Sequence, residues 1–200
     1  RRLDPALVNF DRERSSVTRT GGAVFEEGGF GKGYALDRAL SALGNNGAQR
    51  ALIDFGGQVS LFGWPGGLDV AIAHPEDRLR PAVVVTVDTG SIATSGGSEQ
   101  TFVIDGIRFS HLIDPRSGRA LPARGSVTVV DARGLVADVL STALYVLGPD
   151  EGLQWADAND VAALFIVPTA SDTWEVRASL NFRSRVSAIR LVAPNFTLED

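Results

Sequence analysis

The sequence predicts a mixed, strand-rich fold that also carries helices, and three observations support this. Short β-branched or aromatic runs recur along the chain, punctuated by Gly, Pro and Asp-Gly turns, which is the pattern of strands joined by tight connections. Two stretches, 33–43 and 135–148, instead repeat apolar residues at helical spacing. Finally, 44% hydrophobic content over 200 residues is enough for one sizeable core, so a single domain is the starting expectation.

Ala6 to Phe10 and Ser16 to Thr20 read as an opening hairpin. Next comes GGFGKGYALD, Gly28 to Asp37. Its glycines at 28, 29, 31 and 33 let the main chain turn tightly and approach a ligand, and Lys32 adds a cation. Tyr34, Ala35, Leu36, Ala39 and Leu40 then open a helix that GNNG at 44–47 stops. Such a start suits a phosphate held by main-chain N–H groups, although a connection that merely lets a helix pack closely explains it as well. It is neither a dinucleotide fingerprint, whose third glycine is replaced by Leu36, nor a P-loop, whose hydroxyl position holds Gly33. Asp37 is either a solvated or capping carboxylate or a ligand contact.

Ala51 to Asp54 and Val59 to Phe62 are strands around Phe55-Gly56-Gly57-Gln58, whose glycines serve either a tight turn or close access for a cofactor. Leu68 to Ala73 and Val83 to Val87 continue the strands, and His74 before Pro75 reads as a loop histidine. Thr94-Ser95-Gly96-Gly97 is either a Ser/Thr turn or a set of hydroxyls for a phosphate or flavin edge. Phe102 to Ile104 and Ile107 to Phe109 flank Asp105-Gly106, a hairpin signal. The hairpin leads into SHLIDPRSG, where His111 can move a proton, Asp114 can orient it or shape a turn, and Arg116 can pair with carboxylate or phosphate.

Ser126 to Val130 is a strand before the helix at 135–148, on which Asp138 and Thr142 are four residues apart and share a face. Together they can give two oxygen ligands to a hard cation, the plain alternative being a solvated Asp and a core-facing Thr. Gly152 to Ala158 reads as a short helix, Ala162 to Val167 and Trp174 to Arg177 as strands, and SRVSAIRLV as a final strand before Pro194.

A net charge of -5 argues against a general nucleic-acid or anionic-membrane surface, so any phosphate chemistry is local. The absence of cysteine removes disulfides and thiolate chemistry, and with only His74 and His111 as imidazoles a metal site points to oxygen ligands, hence magnesium or calcium. There is neither an apolar signal segment nor a run long enough to cross a bilayer, and the start RRLDPAL reads as a processed or truncated piece. Repeats and a stacking stripe of aromatics are absent, so nothing positive speaks for a nucleic-acid partner.

Taken in order, GGFGKGYALD, DFGGQ, IATSGG, HLIDPRSG and VADVLSTALYVLG resemble the ApbE family of FAD:protein FMN transferases, from about residue 23 to residue 168. The resemblance implies an α+β fold in which a glycine-rich loop leads into one helix and a second helix carries metal-site residues. It further implies magnesium-dependent transfer of the FMN portion of FAD to a threonine or serine hydroxyl of a target flavoprotein, with AMP released. The implied FAD contacts are Gly29, Gly31, Lys32, Gly33, Tyr34, Gly56, Gly57, Gln58, Thr94, Ser95, Gly96 and His111. The implied metal ligands are the Gly31 carbonyl, Asp138 and Thr142. His111 and Asp138 are the catalytic candidates, with deprotonation of the acceptor assigned to His111 because a metal-ligating carboxylate is a poorer free base.

Family members usually carry a substantial N-terminal region that contributes to the flavin pocket. The expectation is therefore one ApbE-like domain over residues 1–200, the C-terminal portion of the complete fold, with a complementary N-terminal fragment as a partner. Export to the periplasm or the outer face of the cytoplasmic membrane is implied, a cytoplasmic life being left open, with membrane association only through a missing N-terminal anchor. Two other readings stand beside the transferase: a non-catalytic flavin-nucleotide-binding or structural assembly subunit, and a metal-dependent FAD pyrophosphate hydrolase.

Overall fold

The computed structural model describes residues 7–21, 26–97, 101–169 and 172–199. A hairpin of β1 (Val8–Asp11) and β2 (Ser16–Arg19) precedes helix α1 (Gly31–Asn45), which is followed by β3 (Ala51–Phe55), β4 (Gln58–Phe62), β5 (Leu68–His74), β6 (Asp77–Val87) and β7 (Gly90–Gly96). Then come β8 (Thr101–Ile104), β9 (Ile107–Asp114), β10 (Arg119–Pro122) and β11 (Ser126–Asp131), and the helices α2 (Gly134–Leu147) and α3 (Pro149–Ala158). The last described elements are β12 (Ala162–Pro168), β13 (Trp174–Ala178), α4 (Leu180–Arg185), β14 (Ala188–Leu191) and β15 (Phe196–Leu198). This is the mixed, strand-rich α+β arrangement expected. Ala6 of the opening hairpin lies outside the described residues.

The centre is a seven-stranded sheet in the order β15-β13-β12-β11-β7-β4-β3, antiparallel except for the β13–β15 pair. Its inner strands are apolar on both faces because both are covered, and alternation along each strand divides the core in two. Ile92, Val130, Leu164 and Ile166 pack with Val70, Ile72, Val83 and Val85 of a second sheet, ordered β14-β6-β5. Ala93, Val127, Val129, Ala163 and Phe165 point the other way, onto Ala137 and Leu144 of α2 and Ala156 of α3. Full burial of each large aliphatic side chain contributes roughly 1.5–3 kcal/mol. α1 lies against α2 and the β3–β4 hairpin, and a third sheet, β10-β9-β8, meets α2 through β9.

Three expectations change. Thr94, Ser95 and Gly96 are not a turn but the end of β7, paired in register with Thr128, Val127 and Ser126 of β11. His74 is not a loop residue: it ends β5, 6% exposed, edge-on to Trp174 and Phe196 at 5.0 and 5.4 Å between ring centroids. The single strand before Pro194 becomes α4, β14 and, beyond Pro194, β15, which runs parallel to β13. α4 escapes a periodicity argument because it is only six residues long; its start is set by Ser179, whose hydroxyl accepts the Phe182 N–H.

Candidate functional site

α1 and α2 cross with almost no separation at Gly33 and Gly134. A Cβ on Gly33 would stand 2.1 Å from the Gly134 carbonyl oxygen, so only glycine fits. Two carboxylates exploit this closeness. Asp37 accepts the N–H of Gly134 at 2.5 Å and of Leu135 at 3.0 Å, capping a helix whose own N-cap residue, Arg133, makes no side-chain cap. Asp138, 3% exposed, returns the arrangement: its Oδ2 accepts the Gly33 N–H at 2.9 Å, in the first turn of α1. Gln58 fixes the same corner from β4, with its Nε2 donating to the Gly134 carbonyl at 2.9 Å and to Ser91 Oγ at 3.1 Å.

The second carboxylate oxygen of Asp138 faces Lys32, Oδ1 to Nζ 3.7 Å. One turn on, Thr142 Oγ1 stands 3.2 Å from the Asp138 carbonyl and 3.3 Å from Ser95 Oγ. Gly29 leaves room beside it, since a Cβ there would lie 3.6 Å from Thr142 Oγ1. Gly29, Lys32, Ser95, His111, Asp138 and Thr142 line one cavity of about 260 Å³. His111 reaches it through a break in strand register: Ile113 pairs with Ala120 but Phe109 with Pro122, so β9 carries two more residues than β10 over this interval. His111, Leu112 and Ile113 all line the cavity beside this bulge, with His111 and Ile113 exposed and Leu112 half-buried. An adjoining cavity of about 550 Å³ shares Gly28, Lys32 and His111 and adds Gly31, Gly56 and Arg78.

Other expected contacts are not brought here. Thr94 projects from the opposite face of β7, bonded to Thr128 Oγ1 at 2.8 Å. Gly96 is buried against Ser126, Tyr34 is 56% exposed on α1 and lines neither cavity, and Gln58 directs its Nε2 to the helix corner while its buried Oε1 has no hydrogen-bond partner among the described residues. Two of the N–H groups expected to meet a phosphate are already engaged, that of Gly31 with the Glu27 carbonyl at 2.7 Å and that of Gly33 with Asp138. Gly57 supports its turn, donating to Asp54 Oδ1 at 2.9 Å. Asp114 shapes a turn: it accepts the Arg116 N–H at 2.8 Å and Nε–H at 3.1 Å, and the guanidinium holds its carboxyl below the usual carboxylate range. Sequence reasoning left Asp37 undecided and passed over Arg78. A signal for the first was present, because G-x-x-x-D occurs at Gly33–Asp37 and again at Gly134–Asp138.

Residues 2–165 match the model of the ApbE family. The chain belongs to the ApbE family. It is 34% identical over 165 residues to a Vibrio cholerae FAD:protein FMN transferase, covering 78% of this chain and 48% of that protein. It is 33% identical over 194 residues to the Treponema pallidum protein of the same name, covering 89% and 51%. The apo structure of the Pseudomonas stutzeri flavinyl transferase ApbE superposes with a TM-score of 0.77 at 30% identity, over 92% of this chain and 57% of that one. A Thermotoga maritima ApbE protein gives 0.76 at 28% identity, over 90% and 59%. This ApbE chain thus spans about half the length of the relatives it matches.

Among the described residues no group of three or more His, Asp or Glu side chains could hold a metal ion. On one face of α2 the cavity offers the Asp138 carboxylate and the Thr142 hydroxyl, and Glu26 and Ser95 also line it, while Gly31 lines the adjoining space. This donor set falls short of a complete protein cage, so a cation here would take part of its shell from water or ligand oxygens.

Proposed function

We propose that the chain carries the catalytic half of an FAD:protein FMN transferase. The observation behind this reading is the cavity that gathers Lys32, His111, Asp138 and Thr142 from three distant segments, within a chain of the ApbE family. Asp138 and Thr142 would hold Mg2+, which when bound supplies positive charge against the FAD pyrophosphate. The glycine-rich segment before α1 and the Asp138–Thr142 face of α2 then form the two walls of the site. Lys32 balances phosphate charge, and Gly29 keeps the wall beside Thr142 open for the dinucleotide.

In the reaction, a threonine or serine hydroxyl oxygen of the target flavoprotein attacks the FMN-side phosphorus. The bond from that phosphorus to the bridging oxygen breaks, and AMP leaves with the electron pair. His111 accepts the hydroxyl proton, a role its place on the cavity wall permits and the structural engagement of Asp138 with Gly33 disfavours for the carboxylate.

The test incubates the chain, alone and with the remaining part of the family fold, with FAD, Mg2+ and a threonine-containing flavoprotein, and follows the intact mass of the acceptor. An FMN-sized addition that requires Mg2+ is expected. FMN and AMP released without an acceptor would select FAD hydrolysis instead, and no reaction in a folded complete assembly would favour a nucleotide-binding or structural subunit.

A further inference from the structure

The double-glycine turn between β3 and β4 stands between two cations. A Cβ on Gly56 would lie 3.7 Å from Lys32 Cδ, and one on Gly57 only 3.1 Å from Arg78 Nη2. The Gly57 position comes closer to its cation, while the Gly56 position stands at ordinary contact distance from the Lys32 side chain. Both glycines adopt the left-handed conformation, φ 63° and 91°, which makes the two-residue turn tight enough to hold the cations on either side. Arg78 belongs to the first residues of β6 and points its Nη2 toward the Gly56 carbonyl at 3.4 Å, a long and weak contact.

Lys32 and Arg78 line the same cavity of about 550 Å³, together with Gly31 and His111. Their surroundings differ. Lys32 has Asp138 at 3.7 Å, whereas among the described residues Arg78 forms no ion pair with a carboxylate. Glu26 and Glu27 also border the cavity, and Glu26 Oε1 is engaged with the Gly28 N–H at 3.2 Å. An exposed guanidinium that lines the same cavity as a second cation and has no carboxylate ion pair among the described residues is suited to a ligand with adjacent negative charges, and its planar fork matches phosphate oxygens.

We infer that Arg78 is a second phosphate-binding cation of this site and engages the AMP-side phosphate of FAD. The inference rests on the transferase reading for its ligand: the reacting FMN-side phosphorus belongs beside His111 and Asp138, so the phosphate left for Arg78 is that of the leaving group. The same contact makes Arg78 a determinant of selectivity for the dinucleotide over FMN, which carries only the other phosphate.

Equilibrium binding decides this without turnover. FAD, AMP and FMN are titrated against the wild-type chain, R78A and R78K, each assembled with the remaining part of the family fold, using flavin fluorescence for FAD and FMN and displacement of FAD for AMP, with thermal melting as a check on folding. R78A is expected to weaken FAD and AMP about tenfold, the size of one lost charge-assisted hydrogen bond, and to leave FMN within about twofold. R78K, which keeps the charge but loses the fork, is expected to fall between. A wild-type chain that binds FAD, with R78A binding FAD and AMP equally well, overturns the inference alone. Equal weakening of FMN and FAD in R78A overturns the assignment to the AMP side. A folded complete wild-type assembly that binds neither FAD nor AMP overturns it together with the transferase reading.

Discussion

Asp37 and Asp138 cap each other's helices: Asp37 on α1 accepts the N–H groups of Gly134 and Leu135 that begin α2, and Asp138 on α2 accepts the N–H of Gly33 in the first turn of α1. Each carboxylate lies four residues after the glycine through which its own helix touches the other, so the Gly33–Gly134 contact and the two caps form one interlocked corner. The direction in which Asp138 and Thr142 face the cavity depends on that corner.

Asp37→Ala removes two accepted hydrogen bonds at a helix start and is expected to cost about 1–2 kcal/mol in stability. Asp37→Asn, whose single amide oxygen replaces only one of the two acceptors, is expected to lose less than the alanine variant. Urea unfolding of both variants checks this, and equal losses would mean that both carboxylate oxygens are needed for the cap.

Asp138→Asn and Asp138→Ala separate the two uses of one side chain. The asparagine variant keeps an acceptor for the Gly33 N–H and is expected to melt near the wild-type temperature while losing Mg2+-dependent FMN transfer. The alanine variant also leaves the buried Gly33 N–H unpaired, a loss of about 1–3 kcal/mol. Full transfer activity in Asp138→Asn would remove this carboxylate from the metal site.

His111→Ala is expected to abolish most FMN transfer with little change in melting temperature, since the side chain is exposed on the bulge of β9. General-base catalysis is typically worth about 10²–10⁴-fold, so a rate loss in that range is the expected size. Unchanged turnover would return the proton-accepting role to another group.

His74 makes stability depend on acidity. Burial between Trp174 and Phe196 holds its pKa below the ordinary histidine value of 6.5, helped by the charge of Arg80 and opposed by Glu76 and Asp77. Below the unfolded value the unfolded chain binds a proton that the folded chain resists. Stability is therefore complete above about pH 6.5 and falls as pH drops through the lower folded value. Melting curves from pH 7.5 to 5 are expected to show this decline in the wild type and a smaller one in His74→Phe.

Much of the site was legible in the residue order. Gly29, Lys32, His111, Asp138 and Thr142 meet in one cavity, as the family motifs implied, because glycine patterns and an i, i+4 pair on a helix are local features. Where the other motif residues stand has a different origin. Thr94 and Ser95 are adjacent in sequence yet lie on opposite faces of β7, so that Ser95 lines the cavity and Thr94 does not, and their separation follows from pairing with β11. Gln58 reaches with its Nε2 the carbonyl of Gly134, which lies 76 residues away.

The sequence by itself located α1, α2 and α3, showed which turns need glycine, and pointed any metal site toward oxygen donors. Those properties are decided by backbone sterics, side-chain periodicity and composition within a few residues. Only the tertiary structure decided that Asp37 caps a helix nearly a hundred residues later, that His111 on the β9 bulge borders the same cavity as Asp138, and that Arg78 stands across the glycine turn from Lys32. These relationships are set by strand register and helix approach, where a single-residue shift redirects every side chain, and no local pattern specifies them.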